Sequence, residues 1–167
     1  MAAGTRHESA PGQPRTTVER RSERELVAIR TFDAPARLVF EAWTRPELFR
    51  QWWVPKSAGM ELVSCEMDVR VGGAYRLEFS VGGGRTMAFF GKYLEVTPPT
   101  RLSWTNEESP EGAITTVLLE ELDGTTRLEM HEVYPNRQAC EDSAGGMEEG
   151  IPESFEQLAE FLAARAP

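Results

Sequence analysis

Residues 147–162 have the sequence MEEGIPESFEQLAEFL, in which apolar side chains recur at helical spacing. The intervals between them are four, four, three and four residues, which places on one helix face Met147, Ile151, Phe155, Leu158 and Leu162. A helix with one apolar face needs another layer to cover that face. We therefore predict a C-terminal helix that packs on an apolar surface formed by the residues before it.

The residues before this helix alternate between apolar and polar side chains, a pattern typical of strands with one buried face. Tyr75, Leu77 and Phe79, which alternate with polar residues, are the clearest case. Glycine-rich stretches and an Asp-Gly pair separate the apolar runs and are typical of hairpin turns. Six strands are predicted, at residues 62–68, 75–80, 86–96, 101–106, 113–121 and 125–134.

One more strand and two short helices come before these six strands. Residues 25–32 form the predicted strand, and Pro35 and Pro46 stand where the first turns of the two helices would begin. The order is one strand, two short helices, six strands and a long helix. This order predicts an α+β fold with an antiparallel sheet of about six or seven strands, one face of which packs on the C-terminal helix.

The 167 residues fit a single domain. Residues 1–24 have no hydrophobic periodicity, so we expect a disordered N-terminal tail followed by one domain over residues 25–165. The tail has no apolar run like that of a secretory signal, and we expect a cytoplasmic protein without a membrane span. Cys65 and Cys140 are too few for a disulfide framework and are expected to be free thiols.

The net charge of −9 is unevenly distributed. Residues 1–24 contain five Arg and three Glu, so the rest of the chain carries a net charge of −11. Because an acidic domain repels polyanions, nucleic acid is excluded as a partner of the domain. Residues 141–160 contain many carboxylates and no basic side chain, which we interpret as the solvated face of the C-terminal helix.

Several short motifs occur in an order that resembles a known superfamily. They are Phe32-Asp33-Ala34-Pro35, Val39-Phe40-Glu41-Ala42-Trp43, Gln51-Trp52-Trp53, Asp68-Val69-Arg70-Val71-Gly72-Gly73-Ala74-Tyr75, Gly91-Lys92-Tyr93-Leu94-Glu95-Val96 with Pro98-Pro99, Arg101-Leu102-Ser103-Trp104 and Met147-Glu148-Glu149-Gly150. In these motifs the sequence resembles the START-like superfamily, which includes the birch-pollen allergen fold. Within it, the motifs resemble the bacterial branch named for similarity to the activator of the heat-shock protein 90 ATPase.

This resemblance implies a helix-grip fold, in which a strongly bent antiparallel sheet wraps around the C-terminal helix. It also implies a cavity between the sheet and the helix that often takes a lipid-like or aromatic ligand. The superfamily includes carriers, cyclases, hydrolase-like enzymes, resistance proteins and chaperone-associated domains, so the fold alone does not name an activity.

We predict that the cavity is lined by side chains from the inward face of the sheet, the helix pair and the C-terminal helix. In relatives, the end of the helix pair rims the cavity, which adds its two tryptophans to the set. The candidates are Trp52, Trp53, Tyr75, Leu77, Phe79, Phe89, Tyr93, Trp104, Asn106, Val117, Leu119, Met130, Glu132, Met147, Ile151 and Phe155.

Two of these candidates are strongly polar. Asn106 shares the face of Leu102 and Trp104 and could fix a polar ligand head. Glu132 lies on the same strand face as Met130, where a carboxylate could orient a ligand or act as a base. The interpretation that we favour for Glu132 is a position at the solvated end of its strand.

No catalytic constellation is recognisable in the sequence. His131 is the only histidine outside the tail and should face solvent. Together with the two cysteines it provides too few ligands to predict a zinc site. No Gly-x-Ser-x-Gly motif marks a nucleophile. We predict no catalytic residue, no metal and no cofactor.

Three functions stay open at this point. The favoured one is a carrier or sensor that binds a small hydrophobic molecule in the cavity. The second is a cyclase-like or hydrolase-like enzyme that uses Glu132, Asn106 or Tyr93 in the same cavity. The third is an interaction module that contacts a chaperone ATPase, which only the family resemblance implies. We make no prediction about the ligand or the oligomeric state.

Pro152 interrupts the predicted C-terminal helix. Its nitrogen cannot donate a hydrogen bond to the carbonyl of residue 148, and three nearby glycines weaken the helix further. We expect a weak first segment hinged to a firm helix that begins near Pro152.

Overall fold

An antiparallel sheet of eight strands is the frame of the computed structural model, which describes residues 15–109 and 112–165. The strands lie side by side in the order β1-β2-β8-β7-β6-β5-β4-β3. In chain order they are β1 (Thr17–Ser22), β2 (Glu25–Phe32), β3 (Glu61–Met67), β4 (Ala74–Gly82), β5 (Arg85–Thr97), β6 (Arg101–Thr105), β7 (Ile114–Leu122) and β8 (Thr125–Val133).

Three α-helices complete the described structure. Helices α1 (Ala36–Thr44) and α2 (Pro46–Phe49) follow β2, and α3 (Arg137–Arg165) ends the described chain. A short 3₁₀ turn (Lys56–Ala58) precedes β3. The predicted α+β class and the helix-grip arrangement are confirmed. Within these residues no helix has the length and the apolarity to cross a membrane.

Strand β1 lies where the sequence analysis expected the end of a disordered tail. It pairs with β2 in antiparallel register, with Val18 opposite Ala28. Five of its six residues are exposed, so it shows no hydrophobic alternation that could have predicted it. Order therefore begins before Glu25, and the sheet has one strand more than expected. The rest of the expected tail, residues 1–14, lies outside the described residues.

The predicted contact between helix stripe and sheet is present. Phe155 of α3 is fully buried, and its ring packs edge-on against Phe32 of β2 with centroids 6.0 Å apart. The register aligns Leu102, Val117 and Met130 across β6, β7 and β8, so their side chains form one buried row. The apolar face of α3 and the inward faces of the strands therefore share one core.

Helix α3 differs from the expectation in its start and its continuity. It begins at Arg137, where the Asn136 side-chain oxygen accepts a hydrogen bond from the Ala139 amide at 2.8 Å, a typical N-cap. It then continues through Pro152, so the expectation that a helix begins near that residue is wrong, whereas the hinge between the two segments stays a prediction. Met147 before Pro152 is buried, and Ser154 after it donates a hydrogen bond to the Trp53 carbonyl, which offsets the backbone bond that proline cannot make.

Candidate functional site

A cavity of about 610 Å³ lies between the inward face of the sheet and α3. Side chains of β3 to β6 and of β8 form one wall, residues 143–154 of α3 form a second, and the segment 53–60 forms a third. The volume is within the range of sites that bind small molecules and cofactors. Most lining side chains are apolar or aromatic, so the cavity suits a mainly apolar molecule.

Polar side chains of the cavity wall gather where β6, β7 and β8 lie side by side. Trp104, Thr115 and Glu132 are direct cross-strand neighbours and so lie in one row of the sheet. The Thr115 hydroxyl donates a hydrogen bond to Glu132 Oε1 at 2.8 Å. Asn106 Nδ2 in turn donates to Thr115 Oγ1 at 2.9 Å and to the Ala113 carbonyl at 2.7 Å. The result is a fixed chain of hydrogen bonds that ends on a carboxyl group.

The Glu132 carboxyl is strongly affected by its surroundings. Burial raises its pKa from 4.5 to about 7, against the opposing effect of the Thr115 hydrogen bond, and the negative charge of Glu108 raises it further. Both carboxyl groups line the cavity. Glu132 is half-buried and lines the cavity, so it is not the fully solvated strand-end residue of the favoured interpretation, because the chain after β8 folds back over this end of the sheet.

The tyrosines of the cavity are neutral hydrogen-bonding groups. Burial, the largest cause in each case, raises the pKa of Tyr75, Tyr93 and Tyr134 well above the ordinary value. The Tyr75 hydroxyl donates a hydrogen bond to the Thr105 carbonyl at 2.7 Å. Gly91 of β5 is the residue opposite Tyr75 in the sheet register. A methyl group at Gly91 would lie 2.0 Å from that carbonyl oxygen, so only glycine allows this close approach.

An aromatic cluster borders the cavity on the side of α1 and α2. Trp43 of α1 contacts the rings of Trp52, Trp53 and Trp104, with centroid distances between 4.8 and 5.9 Å. Trp52 is fully buried and donates from its ring nitrogen to the Ala42 carbonyl at 3.0 Å. The buried ring nitrogen of Trp43 has no hydrogen-bond partner in the part of the chain that the structure describes.

The segment 52–57 is fastened to α3 by side-chain hydrogen bonds. Gln157 Nε2 donates to the carbonyls of Trp52 and Val54, both at 2.8 Å, and its Oε1 accepts from the Lys56 amide at 2.9 Å. One turn earlier, the Ser154 hydroxyl donates to the Trp53 carbonyl, and the Glu153 carboxylate accepts from the amide and the hydroxyl of Ser57. These bonds fix one wall of the cavity to α3.

The structure brings most of the predicted residues together. Those that line the cavity are Trp53, Tyr75, Leu77, Phe79, Phe89, Tyr93, Trp104, Asn106, Met130, Glu132, Met147 and Ile151. Trp52, Val117, Leu119 and Phe155 are buried in the core and do not line it. Whether any of these residues contacts a ligand stays a prediction.

Several lining residues were missing from the prediction. Trp43 and Phe49 were recognised as helix residues, but their side chains contribute to the wall between the helix pair and the sheet. Ser143 and Gly146 line the cavity because α3 begins earlier than expected. The Pro135-Asn136 pair, a turn signal followed by an N-cap residue, was the sequence feature that could have placed that start.

Residues for metal or nucleophilic chemistry are not assembled here. Within residues 15–109 and 112–165 no three His, Cys, Asp or Glu side chains are placed to hold a metal ion. His131 faces away from the cavity, between the carboxylates of Glu25 and Glu129 at 2.7 and 2.9 Å. Cys65 is half-buried, and burial raises the pKa of its thiol, which disfavours the nucleophilic thiolate.

Comparison with known proteins relates the chain to one family. Residues 33–163 match the family model described as Activator of Hsp90 ATPase homolog 1-like protein. A solved structure of a protein from Rhodobacter sphaeroides is similar with a TM-score of 0.82 at 25% identity, over 89% of this chain and 98% of that one. A protein from Chromobacterium violaceum has a TM-score of 0.71 at 29% identity, over 83% of this chain and 96% of that one.

A solved structure with lower sequence identity is similar to this chain in fold alone. The solution structure of an AHSA1-like protein from Aeromonas hydrophila has a TM-score of 0.68 at 17% identity, over 84% of this chain and 93% of that one. No curated protein matches the sequence.

Proposed function

Because this chain belongs to the family of Activator of Hsp90 ATPase homolog 1-like proteins, we propose that it binds a small, mainly apolar molecule between its sheet and α3. The observation that carries the proposal is the interior cavity of about 610 Å³, lined mostly by aromatic and aliphatic side chains. A concave apolar surface of this size favours binding, because an apolar molecule that covers it removes apolar area from water.

We place the entrance between the segment 53–60 and the first half of α3. Gly146 and Gly150 are both lining residues, so two positions of this helix present no side chain to the cavity. A methyl group at Gly150 would have a single neighbour within 4 Å, a Pro55 side-chain atom at 3.9 Å. Space for a molecule to pass is therefore expected beside Gly150.

Gly150→Leu is the variant that tests the proposal. It fills the space beside Pro55 while removing a helix-weakening glycine, which should stabilise α3 by up to about 1 kcal/mol. Gly145→Leu is the matched control, since Gly145 is exposed on the same helix, has open space around it and does not line the cavity. The expected result is a stable Gly150→Leu protein that has lost ligand binding, beside a control that binds normally.

Two measurements report binding. The first is native mass spectrometry of freshly purified protein, followed by extraction of any bound molecule. The second is titration with the neutral fluorophore N-phenyl-1-naphthylamine, with tryptophan emission as a further signal. Trp43, Trp53 and Trp104 line the cavity and Trp52 does not, so Trp53→Phe should lose part of the emission change on binding. No co-purifying molecule and no saturable fluorophore binding would refute the proposal.

One observation favours an enzyme as a second candidate. Burial raises the pKa of Glu132 to about 7, close to the value at which a carboxyl group serves both as acid and as base. If a molecule is extracted from the protein, its conversion by the wild type and not by Glu132→Gln would identify catalysis. Binding without conversion would leave the carrier or sensor function.

The cellular setting belongs to the same proposal. We propose a cytoplasmic protein whose partner is the small molecule itself. A contact with a chaperone ATPase is suggested by the family name only, and co-purification of the full chain with such an ATPase would test it.

A further inference from the structure

The charge of the cavity wall is one-sided. Two carboxyl groups, those of Glu108 and Glu132, line it. Within the described residues no Lys, Arg or His does so. The whole chain is also acidic, with a net charge of −9. A ligand inside the cavity therefore meets negative charge with no compensating cation among the described lining residues.

The hydrogen bonds around Glu132 leave one side of its carboxyl group open. Thr115 accepts from Asn106, so the single hydroxyl proton of Thr115 is directed to Glu132 Oε1. The Asn106 amide group is itself held by the Ala113 carbonyl. No other hydrogen bond to the Glu132 carboxyl is formed within the described residues, so its second oxygen can accept from a molecule in the cavity.

From this geometry we propose that the cavity selects apolar molecules that carry a protonated amine, which donates to the free oxygen of the Glu132 carboxylate. This inference rests on the proposed function and names the chemical class of its ligand. A charged donor and a carboxylate form a charge-assisted hydrogen bond, which is stronger than a neutral one and stronger still away from water.

The same wall disfavours an anionic ligand. A fatty acid would bring a third carboxylate beside Glu108 and Glu132, and like charges at short distance repel. The Tyr75 hydroxyl is committed as donor to the Thr105 carbonyl and is not free to offset that repulsion. A neutral alcohol of the same length makes an ordinary hydrogen bond and should bind with intermediate affinity.

A ligand series of equal chain length tests the selectivity. Decylamine, 1-decanol and decanoate are each used to displace N-phenyl-1-naphthylamine from the wild-type protein at about pH 8.5, above the Glu132 pKa of about 7, where this carboxyl is ionised and the amine is still protonated. We expect decylamine to bind about tenfold tighter than 1-decanol, given the added strength of a hydrogen bond between charged groups, and decanoate to bind most weakly. In Glu132→Gln the preference for the amine should disappear, while binding of 1-decanol changes by less than about threefold.

Glu120→Gln provides the matched control, because Glu120 is exposed on β7 and does not line the cavity. It removes the same charge and should keep the wild-type order of affinities. Equal affinity of the wild type for decylamine and 1-decanol, or a retained amine preference in Glu132→Gln, overturns this inference and leaves the proposed function intact. Failure of all three compounds and of the fluorophore to bind overturns both. If Glu132→Gln does not fold, the wild-type series alone decides.

Discussion

Replacing Glu132 by glutamine should change how the stability of the protein depends on pH. Burial raises the pKa of this carboxyl from 4.5 to about 7 in the folded chain. A carboxyl whose pKa is higher when folded stabilises the native state fully below the unfolded pKa. That stabilisation is lost as pH rises through the folded value. Glu132 should therefore lower the free energy of unfolding progressively between about pH 4.5 and about pH 7.

The size of the effect follows from the two pKa values. Their difference corresponds to about 3 kcal/mol, since a tenfold change in an equilibrium constant is worth about 1.4 kcal/mol. Between about pH 5 and about pH 8, the wild type should lose about 2–3 kcal/mol more unfolding free energy than Glu132→Gln. Urea unfolding of both proteins at the two pH values measures this change in unfolding free energy. Subtracting the change in Glu132→Gln from the change in the wild type removes the contribution of the titratable groups that both proteins share.

Glu120→Gln again serves as the control and should lose as much stability as the wild type over this pH range. The same pH dependence in the wild type and in Glu132→Gln would refute the reasoning. It would mean that the Glu132 carboxyl is well solvated and that the chain after β8 does not shield it from water.

Three further predictions concern the helix that the sheet encloses. Phe155→Ala should cost roughly 3–5 kcal/mol in chemical unfolding because the ring is fully buried, and a loss under about 1 kcal/mol would contradict that packing. Gln157→Leu should cost roughly 1–3 kcal/mol by leaving three backbone groups without partners, whereas the exposed Gln138→Leu should not, and equal losses in both would contradict the role of Gln157. In hydrogen exchange, residues 145–151 should open before residues 155–162 despite the continuous helix, and uniform protection would remove the hinge.

Hydrophobic periodicity predicted the helices and strands in which buried residues recur at regular spacing along the sequence. The four-four-three-four spacing on α3 and the alternation on β8 each identify a buried face directly, and both faces are buried except at Ile151 of α3, which is half-buried. Strand β1 could not be found in this way. Its residues are almost all exposed, and it is held by backbone pairing with β2, which needs no particular side chain.

Prediction of the cavity wall was limited by a different factor. Alternation tells which face of the sheet a residue occupies, but it does not separate side chains that touch α3 from side chains that touch the void. Val117 and Met130 are neighbours in one row of the sheet, yet only Met130 lines the cavity. That difference depends on the path of α3 across the sheet, which no local pattern encodes.

Glu132 shows how a correct local pattern can support a wrong conclusion. Alternation placed it on the inward face, and its position near the end of β8 suggested solvent. The deciding feature is the short connection that follows: Tyr134 is buried, and α3 begins at Arg137. A helix that starts so soon after a strand must pass over the strand end, and here it brings Ser143 and Met147 into the same cavity wall as the carboxyl group. The connection thus makes a strand-end glutamate a half-buried residue of the cavity wall, and any molecule that the cavity binds must accommodate its acidity.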